Sequence, residues 1–173
     1  DGKHAFHYAA SCSHLSFLEK LLPACPDHLD ALEKSDWTPL MMACTKAGNA
    51  AVIKFLVDNG ARLDLVNKDG WNAVFLAGRT GDLEMFKFLV EKHPKGLAQV
   101  STNGRYTINT ILQHGNADLL SYLLENREKE TIDSIQRASG LLDAAISLNP
   151  EIFKLLSKHF SSGHDDWSKT NKA

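Results

Sequence analysis

Four side chains able to ligate a metal fall within eleven residues near the start of the chain: His4, His7, Cys12 and His14. Imidazole nitrogens and a thiolate in that number are what a tetrahedral zinc site requires. His7, however, falls inside a repeated octet, at a place where a structural hydrogen bond accounts for a histidine, and zinc is not the expected occupant. His164, Asp165 and Asp166 form a second cluster, in a stretch rich in Ser, Lys and Asn that reads as a frayed, solvated tail. Cys12, Cys25 and Cys44 are an odd number without zinc-site or disulfide-framework spacing, so they read as small residues in a reducing compartment. No Ser/His/Asp or Cys/His set assembles by spacing, and no glycine-rich phosphate loop is present. The expectation is a protein that is not an enzyme and carries neither metal nor cofactor.

The elements that must position any functional side chain come from a repeat. Asp36-Trp37-Thr38-Pro39-Leu40-Met41-Met42-Ala43 returns 34 positions later as Gly70-Trp71-Asn72-Ala73-Val74-Phe75-Leu76-Ala77. Each octet leads into a second apolar run, Val52–Val57 and Phe86–Val90. Thr38 is placed to cap a helix through its hydroxyl, and Pro39 at the first helical position loses no backbone bond. Gly60 is free to take the left-handed conformation that ends a helix, and Lys68-Asp69-Gly70 supplies a turn. A period near 33 residues with Thr-Pro-Leu opening a helix resembles the ankyrin repeat. The expected fold is an all-α ankyrin-repeat solenoid: about five stacked helix-turn-helix units with protruding hairpin fingers.

The units fall at about 2–35, 36–69, 70–103, 104–136 and 137–160, with a flexible tail over 161–173. Pro23 and Pro26 stop the second helix of the first unit. The charged run Glu125–Glu130 reads as a solvated helix end, and Asn149-Pro150 as the cap and first position of the last helix. Leu40, Val52, Phe55, Leu56, Phe75, Phe88 and Leu89 are the expected core.

A net charge of −2 gives no electrostatic footprint for nucleic acid, and no run approaches the roughly 18 apolar residues of a membrane span. The reading is a monomer without direct nucleic-acid or membrane binding, in the cytoplasm or nucleus.

Stacked repeats turn equivalent positions into columns about 10 Å apart. The position after the finger turn reads Lys3, Trp37, Trp71 and Arg105. Trp and Arg dominate binding hot spots, so these four are the candidate partner-binding residues. The alternative, that each tryptophan lies flat on the neighbouring finger and stabilises the array, stays open. Three positions earlier come Lys34, Lys68 and Thr102, ordinary as solvated finger-tip charges.

The stretches Glu33–Thr45 and Asn67–Asn72 resemble the ankyrin repeat domain-containing protein sixteen family, with further matches at Arg105 and Leu142-Asp143-Ala144. The resemblance implies a cofactor of alanyl-tRNA synthetase that accepts misactivated serine on its own lysines. Carried over, the serine acceptors are Lys34 and Lys68. A third acceptor position falls near Ala98, which is not a lysine, although Lys95 is close by. Members of that family are longer, so the chain reads as an internal portion or a shortened relative.

Overall fold

A computed structural model describes residues 2–137 and 149–161. The expected opening helix of the fifth unit, around Gly140–Ile146, and the tail with His164–Asp166 lie outside the described residues.

Nine helices are described: α1 (Gly2–Ser11), α2 (Leu15–Ala24), α3 (Pro39–Ala43), α4 (Ala50–Asp58), α5 (Ala73–Thr80), α6 (Leu83–Lys92), α7 (Thr107–Gln113), α8 (Ala117–Arg137) and α9 (Pro150–Ser161). The first helices of successive units, α1, α3, α5 and α7, pack on one another as an inner row. The second helices, α2, α4, α6 and α8, form an outer row, with α9 against α8. The fold is the expected helical repeat array, and among the described residues there is no strand, only one isolated bridge between Val100 and Tyr106.

Local chemistry sets the helix starts. Thr38 Oγ1 accepts the Met41 N–H at 3.2 Å, Asn72 Oδ1 that of Phe75 at 2.8 Å, and Asp82 Oδ1 that of Met85 at 3.0 Å. Gly60 ends its unit at φ 95°, as its position demands. Pro23 lies inside the last turn of α2, where its missing N–H removes only one helix bond and the helix closes at Ala24.

One side chain per unit ties the array together at the start of the outer helix. Asn49 Nδ2 donates to the carbonyls of Ala10 (2.8 Å) and Ala43 (3.0 Å). Asp82 Oδ2 accepts the Gly48 N–H at 2.7 Å, Asn116 Nδ2 donates to Gly78 O at 2.9 Å, and Asn149 Nδ2 to Gly115 O at 3.1 Å. Apart from the Asn49–Ala43 bond, which lies within one unit, each bond joins neighbouring units, so the residue at the start of the outer helix also fixes the stacking. Asn149 Oδ1 accepts the N–H groups of Glu151 (3.0 Å) and Ile152 (3.4 Å), the cap its position suggested.

The core runs unbroken through the units. Leu40, Val52, Leu56, Phe75 and Leu89 are buried as expected, whereas Phe55 and Phe88 are only half-buried. The buried face of α4 is Val52, Ile53 and Leu56, and that of α6 is Met85, Phe86, Leu89 and Val90. Phe55 and Phe88 flank these faces, and lysine ammonium groups cover part of the second ring: Lys54 and Lys92 lie 5.9 and 5.7 Å from the Phe88 centroid. The charged run Glu125–Glu130 also differs from its expected role. The chain bends at Arg127 (φ −147°, ψ 42°) and stays helical to Arg137. Thr131 and Ile135 beyond the bend are buried, and Thr131 Oγ1 donates to Arg127 O at 2.8 Å, so packing carries the chain through the polar stretch.

Candidate partner-binding face

The fingers are built by one hydrogen-bond motif repeated in register. Glu33 N–H donates to Trp37 O (2.9 Å), Asn67 N–H to Trp71 O (3.1 Å) and Ser101 N–H to Arg105 O (2.9 Å). In the second and third fingers the side chain closes the loop: Asn67 Oδ1 accepts from Trp71 N and Ser101 Oγ from Arg105 N, each at 2.9 Å. The residue before the column takes a left-handed backbone in all three, Asp36 (φ 62°), Gly70 (77°) and Gly104 (76°). That turn swings the next side chain back over the inner helix. Adjacent fingers are bonded to each other, Lys68 N–H to Ser35 O at 3.0 Å and Thr102 N–H to Asp69 O at 2.9 Å.

Trp37 and Trp71 are half-buried neighbours, edge to face with centroids 6.5 Å apart. Trp71 lies flat on Phe75 of its own unit (5.5 Å, 8° between planes), and the Arg79 guanidinium sits over the Trp71 ring at 5.6 Å. Arg105 is also half-buried, and its guanidinium donates to Gln113 Oε1 at 3.0 Å. Lys3, expected in the same column, falls within α1 rather than in a turn before it. Lys34 and Lys68 stand exposed at the finger tips.

Arg79 was not singled out by the sequence, yet it lies eight positions after Trp71 as Gln113 lies eight after Arg105. That offset reaches the second turn of the inner helix, where a side chain folds back toward the finger base, and is the signal that could have found it. Beyond Arg79 the face opens into a cleft of about 370 Å³ lined by Thr45, Leu76, Arg79, Thr80 and His114. Thr80 Oγ1 donates to Cys44 O at 2.7 Å, so the wall between neighbouring units is itself hydrogen-bonded. The face thus offers flat aromatic surface, two guanidiniums and a polar cleft, a combination suited to holding a protein surface.

His7 is buried, with Nε2 2.9 Å from Trp37 O, a contact that links the first two units. Among the described residues no three His, Cys, Asp or Glu side chains converge as a metal site would require. Burial pushes the Cys44 thiol far above the ordinary cysteine range. No helix among the described residues is long and apolar enough to cross a membrane.

Helix pairs stacked by neighbour-to-neighbour cores, with fingers and inner helices lining a shared face, define a repeat-array interaction scaffold. The family model for ankyrin repeats (three copies) matches residues 6–97, more than half of the chain, and the chain belongs to that family. It is similar to ankyrin repeat and SAM domain-containing protein 6 of Rattus norvegicus, 31% identical over 114 residues, covering 61% of this chain and 13% of the relative. The Mus musculus protein of the same name is 34% identical over 87 residues, 50% of this chain and 10% of the relative. The chain therefore spans only a small part of the length of these relatives.

Proposed function

We propose that this chain is a non-catalytic adaptor, that alanyl-tRNA synthetase docks on the face of Trp37, Trp71, Arg79 and Arg105, and that Lys34 and Lys68 accept misactivated serine. The observation that carries the adaptor reading is the pair of half-buried tryptophans in register on neighbouring units, flanked by two guanidiniums. The choice of synthetase rests on the resemblance of the Glu33–Thr45 and Asn67–Asn72 wording. The tip-to-tip hydrogen bond from Lys68 N–H to Ser35 O supports two acceptors served by one docked partner, since it holds the two lysines one finger apart.

In the proposed reaction the free amine of a lysine attacks the carbonyl carbon of seryl-adenylate. An amide bond forms, the bond to the phosphate oxygen breaks, AMP leaves and the nitrogen loses a proton. Positioning beside the adenylate supplies the rate, with effective concentrations of about 10⁵ M or more for well-aligned groups. The amide is stable, so each lysine is consumed once.

Incubation with alanyl-tRNA synthetase, ATP and serine is expected to add one serine mass at Lys34 and one at Lys68, read by peptide mass spectrometry. The labelling requires the synthetase. Even modification of all surface lysines, or none at these two while the synthetase is bound, removes the acceptor role. Failure to bind the synthetase leaves a scaffold for another protein.

A further inference from the structure

Two asparagines of the chain are followed by glycine, Asn59-Gly60 and Asn103-Gly104. In that order the glycine nitrogen can close a five-membered ring on the asparagine side-chain carbonyl carbon, with no Cβ on the glycine to crowd its approach. Both asparagines are exposed, so solvent reaches both. Residue order does not tell the two pairs apart, but their hydrogen bonds do.

Asn59 is held shut at the end of α4. Its own N–H and its Nδ2 both donate to Phe55 O, at 3.1 and 2.8 Å. Gly60 N–H donates to Val57 O at 3.0 Å and Ala61 N–H to Leu56 O at 2.9 Å. The amide nitrogen that would leave and the backbone nitrogen that would attack are thus both bonded into the helix end. Ring closure there has to break the side-chain bond and the helix closure together.

Asn103 is held the other way round. It lies at the tip of the third finger, in a turn closed by Gly104 N–H to Ser101 O at 2.9 Å. Neither the Asn103 N–H nor its Nδ2 has a partner among the described residues. The bond its side chain makes is to the carbonyl oxygen: Ser101 Oγ donates to Asn103 Oδ1 at 2.6 Å. The competing acceptor for that hydroxyl, Arg105 O, is farther away at 3.0 Å. Ser101 is buried and its Oγ accepts the Arg105 N–H at 2.9 Å, which keeps the hydroxyl aimed. A fixed donor on a carbonyl oxygen stabilises the negative charge that the oxygen takes up when a nucleophile adds. A Cβ added at Gly104 would meet nothing within 4 Å, whereas one at Gly70, its counterpart in the second finger, would meet the Ser101 backbone at 3.0 Å. The third tip therefore has room to turn, and a single backbone bond holds the attacking nitrogen.

We propose that Asn103 is a site of spontaneous modification, where Gly104 N closes on Asn103 Cγ under polarisation by the Ser101 hydroxyl and the finger tip becomes a mixture of isoaspartate and aspartate. Gly104 N gives up its proton and bonds to Cγ, the Cγ–Nδ2 bond breaks, and ammonia leaves with a proton in return. Water then opens the succinimide at either carbonyl. Cleavage of the new Cγ–N bond leaves aspartate in an ordinary backbone; cleavage of the original C–N bond routes the chain through the side chain as isoaspartate. Either product sets a carboxylate two residues before Arg105, and isoaspartate also lengthens the tip by one backbone atom. The third finger then carries an acidic tip beside the lysines of the first two.

The test keeps the full chain in neutral buffer made with heavy-oxygen water at physiological temperature, with peptides sampled over weeks by mass spectrometry that separates the two isomers. The Asn103 peptide is expected to take up one heavy oxygen and to yield both isomers. The Asn59 peptide is expected to convert about tenfold more slowly, the effect of one additional hydrogen bond to break. In urea the two are expected to convert at similar rates, because the bonds that distinguish them are gone. Ser101→Ala is expected to slow conversion at Asn103 by about tenfold, and Ser101→Thr, which keeps a hydroxyl, to restore most of it. Equal rates at the two sites in the folded chain, an Asn103 peptide still intact when the unfolded chain has converted, or a Ser101→Ala chain that converts as fast as the original would each overturn the proposal. No partner enters the experiment, so its outcome is independent of the alanyl-tRNA synthetase reading.

Discussion

Replacing Trp71 by Ala separates packing from binding, because the two tryptophans are held so differently. The substitution removes a flat stack on Phe75 at 5.5 Å, the seat of the Arg79 guanidinium at 5.6 Å and the edge contact to Trp37 at 6.5 Å. Aromatic pairs contribute about 0.5–1.5 kcal/mol each beyond their burial, and an exposed cation–π contact about 0.5–1 kcal/mol, so the loss is about 1.5–4 kcal/mol. Trp37→Ala removes only the edge contact and part of a half-buried side chain; the His7 bond to the Trp37 backbone carbonyl survives. Its expected cost is about 1 kcal/mol. Urea denaturation followed by far-ultraviolet circular dichroism reads both values. A Trp37→Ala variant as unstable as Trp71→Ala would refute the ring geometry on which the argument stands. Binding is then measured by calorimetry against alanyl-tRNA synthetase at temperatures where both variants are folded. A loss of about 2 kcal/mol, near thirtyfold, is expected for at least one. Normal binding per folded molecule by both would mean that the tryptophans only stabilise the array.

Three further outcomes follow from the packing. Leu56→Ala opens a cavity at a fully buried position and is expected to cost about 2–5 kcal/mol in urea; a change below about 0.5 kcal/mol would contradict the core assignment. Asn49→Ala leaves the Ala10 and Ala43 carbonyls without their donor in a buried site, an expected loss of about 2–4 kcal/mol, whereas an unaltered melting curve would show that water replaces the amide. Cys44 is buried and its thiol is held protonated, so alkylation of the native protein at neutral pH is expected to modify half-buried Cys12 and Cys25 and spare Cys44 until denaturant is added; mass spectrometry showing equal labelling of all three would contradict the burial.

The repeat, its phase and its caps were determined by the sequence alone, because they are local. Thr38 and Asn149 cap helices through bonds to residues two or three positions away, and Gly60 ends one through its own φ, so residue type and spacing suffice. The 34-residue period also places Trp37 and Trp71 side by side, since stacking turns a period into a column. Local pattern could not decide what each column touches. Phe55 and Phe88 satisfy the apolar period of their helices, yet the arc of each helix that faces its neighbour is narrow enough to leave them at its flank. Trp71 stacks on Phe75 only because Phe75 occupies the place that His7 holds in the first unit, and Arg79 reaches the ring by folding across the inner helix. The run Glu125–Glu130 looks like a solvated end by charge, but burial of Thr131 and Ile135 draws the helix past a bend at Arg127.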